Sequence, residues 1–147
     1  MAGRTADPLA ALRTRSETQI IRAILAALRS VPGVVAWRQN TGAVTVPARA
    51  GQARRFVRYG ELGMADIIGW RATYSDDGVQ PFGDRLAPRS TPIAQFLALE
   101  VKRPSKHVVK NVTPEQSAFL NRVRAAGGIA AVVTSVDEAL AAFRGGP

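Results

Sequence analysis

The chain has 147 residues, 46% of them hydrophobic, and a formal net charge of +9, which suits one globular domain with a core of its own. It contains no cysteine and one histidine, so disulfides, thiol nucleophiles and cysteine or multi-histidine zinc sites are excluded. It has no apolar run of the length of a membrane span or a signal peptide, which predicts a cytoplasmic protein without membrane contact.

The charge is unevenly distributed along the chain. Residues 1–60 carry ten arginines and two acids, residues 61–101 three arginines and six acids, and residues 102–147 seven lysines or arginines and three acids. Such a basic excess favours a polyanionic partner, most simply nucleic acid, because Arg and Lys release counterions from phosphates. A merely solubilising basic surface is the alternative that charge alone leaves open.

The first predicted element is a helix that begins after Ser16. We interpret residues 1–15 as an N-terminal arm without an assigned function and residues 16–147 as a single domain. Ser16 and Gln19 form a capping-box pattern. Glu17, in the first turn, is either a surface acid favoured by the helix dipole or an acid held close to the strand ends. The buried stripe predicted for this helix consists of Ile20, Ile24 and Leu28.

Three short strands follow, predicted over residues 34–38, 44–46 and 55–59. In the third strand, Arg55 and Arg58 are interleaved with Phe56 and Tyr59. One interpretation is that the arginines contact a phosphate backbone while the aromatic rings pack inward. A half-buried strand with a charged outer face is the simpler alternative, and both are compatible.

The next predicted strand, over residues 65–70, is apolar except for Asp66 near its start. A carboxylate at the mouth of an apolar strand is costly unless it is paired or binds a metal ion, so Asp66 is the best single candidate for a ligand. Residues 71–92 are polar and rich in turn residues, which predicts a long surface hairpin or mobile loop. The pattern G-x-x-x-x-G-K is absent, which disfavours a nucleotide-triphosphate hydrolase.

A strand predicted over residues 96–102 ends in an acid and a base. Side chains alternate along a strand, so Glu100 and Lys102 share one face, roughly 7 Å apart along the chain. Pro104 cannot continue a central strand and should end it. A lone Glu-x-Lys pair is most often a surface ion pair. The basic loop after this strand is placed to meet phosphate.

The last part of the chain is predicted to form a helix, a strand over residues 129–133 and a helix over residues 136–143. Thr113 caps the first of these helices, Pro114 occupies its first position, and Gln116 closes a capping box. Gln116 therefore either only caps the helix or also turns toward the strand ends.

The element order predicts an α/β fold with an αβββαβ core, in which a mixed central sheet is flanked by helices. Divalent-metal phosphodiester hydrolysis requires an arrangement of this kind, with an Asp at the start of one strand and Glu-x-Lys at the end of the next. Carboxylate oxygens hold Mg²⁺ or Mn²⁺, which polarises the phosphate and activates water. Lys102 can orient or deprotonate that water and stabilise developing negative charge.

These motifs together resemble those of the PD-(D/E)XK nuclease superfamily, and more closely its VRR-NUC family of small phage and bacterial proteins, which also supplies the nuclease domain of a eukaryotic DNA-repair enzyme. The resemblance covers roughly residues 16 to 142. Each motif is weak alone, but five in the right order are fairly specific. The matching segments are Ser16-Glu17 with Ile20 and Ile24, residues 37–43, 63–68 and 99–102, and residues 113–116 with Phe119 and Leu120.

The resemblance implies a restriction-endonuclease-like core and a role for each matching residue. It implies metal ligation by Asp66, Glu100 and the Val101 carbonyl, with Lys102 as the catalytic base or stabiliser. It also implies a supporting acid at Glu17 and places Gln116 beside the scissile phosphate. Stand-alone members resemble Holliday-junction resolvases and act as homodimers, which lets two sites cut opposite strands. Contacts to DNA are expected from Arg38, Asn40, Arg55, Arg58, Arg103, Lys106 and Lys110.

The leading hypothesis is a Mg²⁺- or Mn²⁺-dependent, structure-specific endodeoxyribonuclease that acts on branched DNA. A non-catalytic DNA-binding or recombination module with the same basic face is the alternative. A third possibility is a structural protein that binds a partner through residues 71–92, a segment longer than a compact family member needs. Binding that is insensitive to salt would favour this third class, since phosphate contacts weaken steeply with salt.

Overall fold

The computed structural model describes residues 15–47, 51, 53–105, 108 and 111–144. Apart from Arg15, the predicted N-terminal arm lies outside these residues. Within them, no helix combines the length and apolar character that crossing a membrane would take. The elements are α1 (Glu17–Leu28), β1 (Val34–Arg38), β2 (Gly42–Val46), β3 (Arg55–Tyr59), β4 (Ile67–Phe82), β5 (Arg85–Val101), α2 (Pro114–Ala125), β6 (Ile129–Val133) and α3 (Val136–Ala141).

A four-stranded sheet with the order β1-β4-β5-β6 forms the centre of the fold. β4 runs antiparallel to β1 and β5, whereas β5 and β6 are parallel. The parallel pair requires a crossover, which α2 supplies. The prediction of an α/β fold with a mixed central sheet flanked by helices is therefore confirmed.

One face of the sheet is covered by α1 and α3. The capping box predicted at Ser16 is present: its hydroxyl accepts from the N–H of Gln19, whose side chain accepts from the Ser16 N–H. This cap fixes the start of α1 and thereby the phase of its apolar stripe. The core on this face comprises Ile20, Ile21, Ile24, Leu28, Ile67, Leu97, Leu99, Val101, Ile129, Val133 and Ala139.

The opposite face is covered by α2 over β5 and β6. The capping box at Thr113 and Gln116 is present, with proline in the first turn as predicted. The core under this helix comprises Ala65, Ala98, Phe119, Leu120 and Val123. α2 thus brings the first residues of its helix to the end of the sheet where β5 stops.

β2 and β3 pair with each other as a separate two-stranded ribbon and do not join the central sheet. The prediction that the aromatic side chains of β3 pack inward is wrong. Phe56 is 67% exposed and Tyr59 is 45% exposed, because a two-stranded ribbon offers no second layer beneath either face. Arg55 and Arg58 are exposed as expected.

Residues 71–92, predicted as a surface hairpin or a mobile loop, lie in a hairpin formed by the outer halves of β4 and β5. The sequence Asp76-Asp77-Gly78, which is typical of a turn, lies inside β4. The pairing of β4 with β5 shifts register there, between Asp76 and Val79. The carboxylate of Asp77 accepts hydrogen bonds from the hydroxyl of Ser75, on the same strand, and from that of Thr91, on the facing strand. These contacts lower the pKa of Asp77. Of the two interpretations, the surface hairpin is the one observed.

Gly63 allows the loop before β4 to pack closely on the first turn of α2. Its φ is +79°, and a Cβ there would lie 2.6 Å from the backbone oxygen of Glu115. Gly78 has a similar φ of +82°, but a Cβ there would meet nothing within 4 Å. The two glycines therefore share the left-handed backbone and differ only in the space around them.

We expect Gly63→Ala to destabilise the protein more than Gly78→Ala. The left-handed backbone costs an alanine about 1–2 kcal/mol at either position, and the collision at Gly63 raises the loss to about 3 kcal/mol or more. Urea denaturation of the two variants measures the difference in the free energy of unfolding. Equal losses of unfolding free energy in Gly63→Ala and Gly78→Ala would contradict the close packing of this loop on α2.

Candidate active site

Two adjacent strand ends bring an acidic pair together. β4 begins at Ile67, directly after Asp66, and Ile67 lies opposite Leu99 in the register of β4 with β5. Glu100 is the next residue of β5, so the two carboxylates meet at one end of the sheet. The N–H of Val101 donates to Oδ2 of Asp66 at 2.9 Å. This hydrogen bond fixes the Asp66 carboxylate against the last residue of β5.

Glu100 is the one charged or polar residue that is buried among the described residues, with 1% of it exposed. Its Oε1 accepts from Nζ of Lys102 at 2.8 Å and from Nε2 of Gln116 at 2.5 Å. Its Oε2 is also buried and has no hydrogen-bond partner among the described residues. An unpartnered buried carboxylate oxygen is costly, and either a proton on the carboxyl group or a bound cation offsets that cost.

Burial is the main cause that raises the pKa of Glu100, to about 7. The negative charge of Asp66 raises it further, whereas the hydrogen bond and charge of Lys102 lower it. Near neutral pH this carboxyl therefore lies close to the midpoint of its titration. A cation beside Oε2 would favour the ionised form.

Gln116 fulfils both of the roles considered for it. Its backbone N–H and side-chain oxygen close the capping box with Thr113. Its side-chain Nε2 at the same time donates to Glu100. The capping box therefore holds the amide in the orientation in which it reaches the strand ends.

The other predicted site residues lie outside this cluster. Glu17 is exposed and lines an open depression of about 570 Å³ together with Arg103. Within the described part of the chain, no hydrogen bond or ion pair joins Glu17 to Asp66, Glu100 or Lys102.

Five of the seven predicted DNA contacts are among the described residues, and all five are exposed. Arg38 and Asn40 are exposed at the end of β1. The backbone N–H of Gln39, which lies between them, donates to the Asp66 carbonyl at 2.8 Å. Arg55, Arg58 and Arg103 are also exposed, whereas Lys106 and Lys110 lie outside the described residues.

The donor set fits a hard divalent cation. Asp66 and Glu100 supply two carboxylates, and Val101, whose carbonyl the resemblance implies as a ligand, is bonded to Asp66 through its N–H. No group of three or more His, Cys, Asp or Glu side chains that could share an ion occurs in the described ranges. Mg²⁺ is commonly bound by one or two carboxylates plus water and substrate phosphate, so two suffice.

Comparison of the chain with models of known protein families, with the curated proteins and with the solved structures finds no match. The resemblance to VRR-NUC nucleases therefore depends on the residues quoted for it and on the geometry of the cluster.

Sequence reasoning did not single out Trp70, or Trp37 as part of a surface. The two indole rings lie 5.5 Å apart, centroid to centroid, in an edge-to-face arrangement. Trp37 is 41% and Trp70 39% exposed. Strand alternation places Trp37 and Val35 on one face of β1, but it does not reveal that this face stays uncovered.

Proposed function

We propose that the protein is a divalent-metal-dependent, structure-specific endodeoxyribonuclease of the PD-(D/E)XK type that hydrolyses phosphodiester bonds in branched DNA. The observation that carries this proposal is the buried Glu100 carboxylate, whose Oε2 lacks a partner among the described residues while Asp66 lies beside it and Lys102 contacts its Oε1. A divalent cation between the two carboxylates would offset both costs without protonation of Glu100.

The element order supports the finer assignment of the fold. When the β2–β3 ribbon is set aside as an insertion, the central sheet and its helices follow the order α1, β1, β4, β5, α2, β6. This is the αβββαβ order of the superfamily core that the motifs resemble. The candidate site lies where that core would place it, at the ends of its second and third strands.

Each residue of the cluster has a distinct role in this proposal. Asp66 and Glu100 would hold the cation, together with the Val101 carbonyl. A cation held there would polarise the scissile phosphate and activate a water molecule. Lys102, 14% exposed at its side chain, can orient that water or stabilise the negative charge that develops on the phosphate. Gln116 positions the Glu100 carboxylate and lies beside the expected phosphate.

Branched DNA as the substrate and a homodimer as the working form are parts of the same proposal, and both derive from the resemblance. Two sites in a symmetric dimer would cut opposite strands of a junction. The hairpin presents exposed apolar residues that a second chain can cover, including Val79, Phe82 and Leu86. Light scattering on wild type and on a chain with a shortened hairpin tests this surface.

A gel assay tests the proposed activity. It offers four-way, flapped, linear duplex and single-stranded DNA to the purified chain, with and without Mn²⁺. We expect cutting only with the metal ion, and preferentially of the branched substrates. Binding of DNA without cutting of any substrate would contradict the nuclease and favour the non-catalytic DNA-binding module.

Arg55 and Arg58 should account for part of the salt dependence of DNA binding. Each lost phosphate contact lowers the slope of log affinity against log salt by about one, so replacement of both arginines by Gln should lower it by about two. Arg85 and Arg89, exposed on the hairpin, provide a matched control pair. An equal decrease of this slope in the two double variants would show that DNA binding depends on the overall charge and not on the arginines of the ribbon.

A further inference from the structure

The half of the sheet that α2 leaves uncovered carries a strip of large apolar side chains. They share one face because Trp70 lies opposite Val35 on one side and opposite Phe96 on the other. Phe96 is 41% and Val35 46% exposed, similar to the two tryptophans. We name this surface the tryptophan strip; it consists of Val35, Trp37, Trp70 and Phe96.

The strip is continuous with the candidate active site. Trp37 lies opposite Ile68, two residues after Asp66. The N–H of Gln39 donates to the carbonyl of Asp66, and Trp37 is two residues before Gln39, roughly 7 Å along the strand. A DNA strand whose phosphate reaches Asp66 therefore has its neighbouring nucleotide within reach of the Trp37 ring.

Arginines are close to the strip in the sequence. Arg38 follows Trp37 directly but, by strand alternation, projects from the opposite face of β1, and the ribbon that begins at Gly42 carries the exposed Arg55 and Arg58. The nearby acid Glu61 is paired with Arg122 at 2.5 Å. Proteins bind single-stranded nucleic acid with exposed aromatic rings, on which bases stack, and with cationic side chains, which follow the backbone.

We propose that the tryptophan strip stacks unpaired nucleobases of the DNA strand that enters the site. This inference rests on the proposed nuclease function and names the feature of the substrate that is recognised. In a duplex each base is stacked on its neighbours, so only a flap, a junction or a single strand offers a free base face. The strip thereby selects phosphates next to unpaired nucleotides.

The position of the strip and the charge of the chain favour DNA as the occupant. The strip adjoins Asp66 in the register of β1 with β4, so a DNA strand bound at the candidate site passes next to it. The net charge of +9 attracts a polyanionic strand, whose bases then cover the rings.

Tryptophan fluorescence provides a direct test, because the chain contains two tryptophans and both lie in the strip. The full chain is titrated with oligothymidylate or with blunt duplex in EDTA, while the anisotropy of labelled DNA measures binding in parallel. We expect oligothymidylate to quench emission to about half or less, and duplex to quench it far less at equal saturation. Asp84→Asn, in the hairpin turn, should quench as wild type does.

Variants separate stacking from general binding. Trp37→Ala should weaken oligothymidylate binding roughly ten-fold to hundred-fold. Tyr74→Ala removes another exposed aromatic ring, outside the strip and eight residues after Asp66, and should leave affinity unchanged. If Trp37→Ala fails to fold, the quenching of the wild-type chain still decides the question.

The outcomes distinguish this inference from the proposed function. DNA binding and cutting without any change in emission would overturn the stacking while leaving the nuclease intact. Quenching by oligothymidylate without cutting of any DNA would support the strip as a base-binding surface and overturn the nuclease. An emission change that depends on protein concentration without DNA, accompanied by a doubled mass, would assign the strip to a second copy and overturn the inference.

Discussion

We expect Asp66→Asn to reduce Mn²⁺-dependent DNA cleavage by at least about a hundred-fold to thousand-fold, the usual loss when one charged group of a transition-state site is removed. The substitution keeps the shape of the side chain and its ability to accept from the Val101 N–H. It removes the negative charge that would hold the cation. Affinity for DNA measured in EDTA should stay within a few-fold of wild type.

Lys102→Ala should reduce cleavage to a similar extent for a different reason. It leaves both carboxylates and removes the cation that contacts Glu100 Oε1 at 2.8 Å. Metal binding should therefore persist while cutting is lost. Asp84→Asn, an exposed acid in the hairpin turn, is the control and should cut at the wild-type rate. Undiminished metal-dependent cutting by both purified site variants would refute the assignment.

Glu100→Gln should increase stability at alkaline pH while it abolishes metal-dependent cutting. Burial raises the pKa of Glu100 from 4.5 to about 7 in the folded protein. The folded state therefore holds this proton more tightly than the unfolded chain does. Stability from this group is fully present below about pH 4.5 and is lost as the pH rises to about 7, on the order of 3 kcal/mol.

Glutamine is neutral throughout this range, so the difference in the free energy of unfolding between wild type and Glu100→Gln isolates the contribution of this one carboxyl group. Urea denaturation without metal should give wild type and Glu100→Gln similar free energies of unfolding at about pH 4. At about pH 8 the variant should be the more stable of the two. Asp84→Asn should have the same free energy of unfolding as wild type at both pH values. A difference that does not change with pH would contradict the raised pKa of Glu100.

The helix starts could be predicted because their signals are local. Ser16 with Gln19, and Thr113 with Gln116, satisfy backbone groups within one turn, so the pattern alone determines the cap. Strand alternation likewise placed Glu100 and Lys102 on one face, where they form an ion pair.

What the sequence did not reveal depends on contacts between distant segments. Residues 71–92 were predicted to form either a hairpin or a mobile loop, and the choice depends on cross-strand partners such as Ser75 and Thr91, which a local turn signal does not identify. The aromatic rings of β3 alternate as expected, but alternation does not say whether another layer covers them.

The candidate site was partly predictable for the same reason. Asp66, Glu100 and Lys102 were expected to meet because neighbouring strand ends lie close together. The hydrogen bond of Gln116 to Glu100 spans 16 positions, and the unpartnered Oε2 of Glu100 exists only once α2 has closed over the strand end. Both require the packed fold.

Calorimetric titration of the metal-free chain with Mn²⁺ at about pH 8, where Glu100 is ionised, tests the cation site most directly. We predict one ion bound per chain by wild type and by Asp84→Asn, and binding at least about ten-fold weaker for Asp66→Asn and Glu100→Gln. Equal Mn²⁺ binding by wild type and both site variants would contradict a cation held between these two carboxylates.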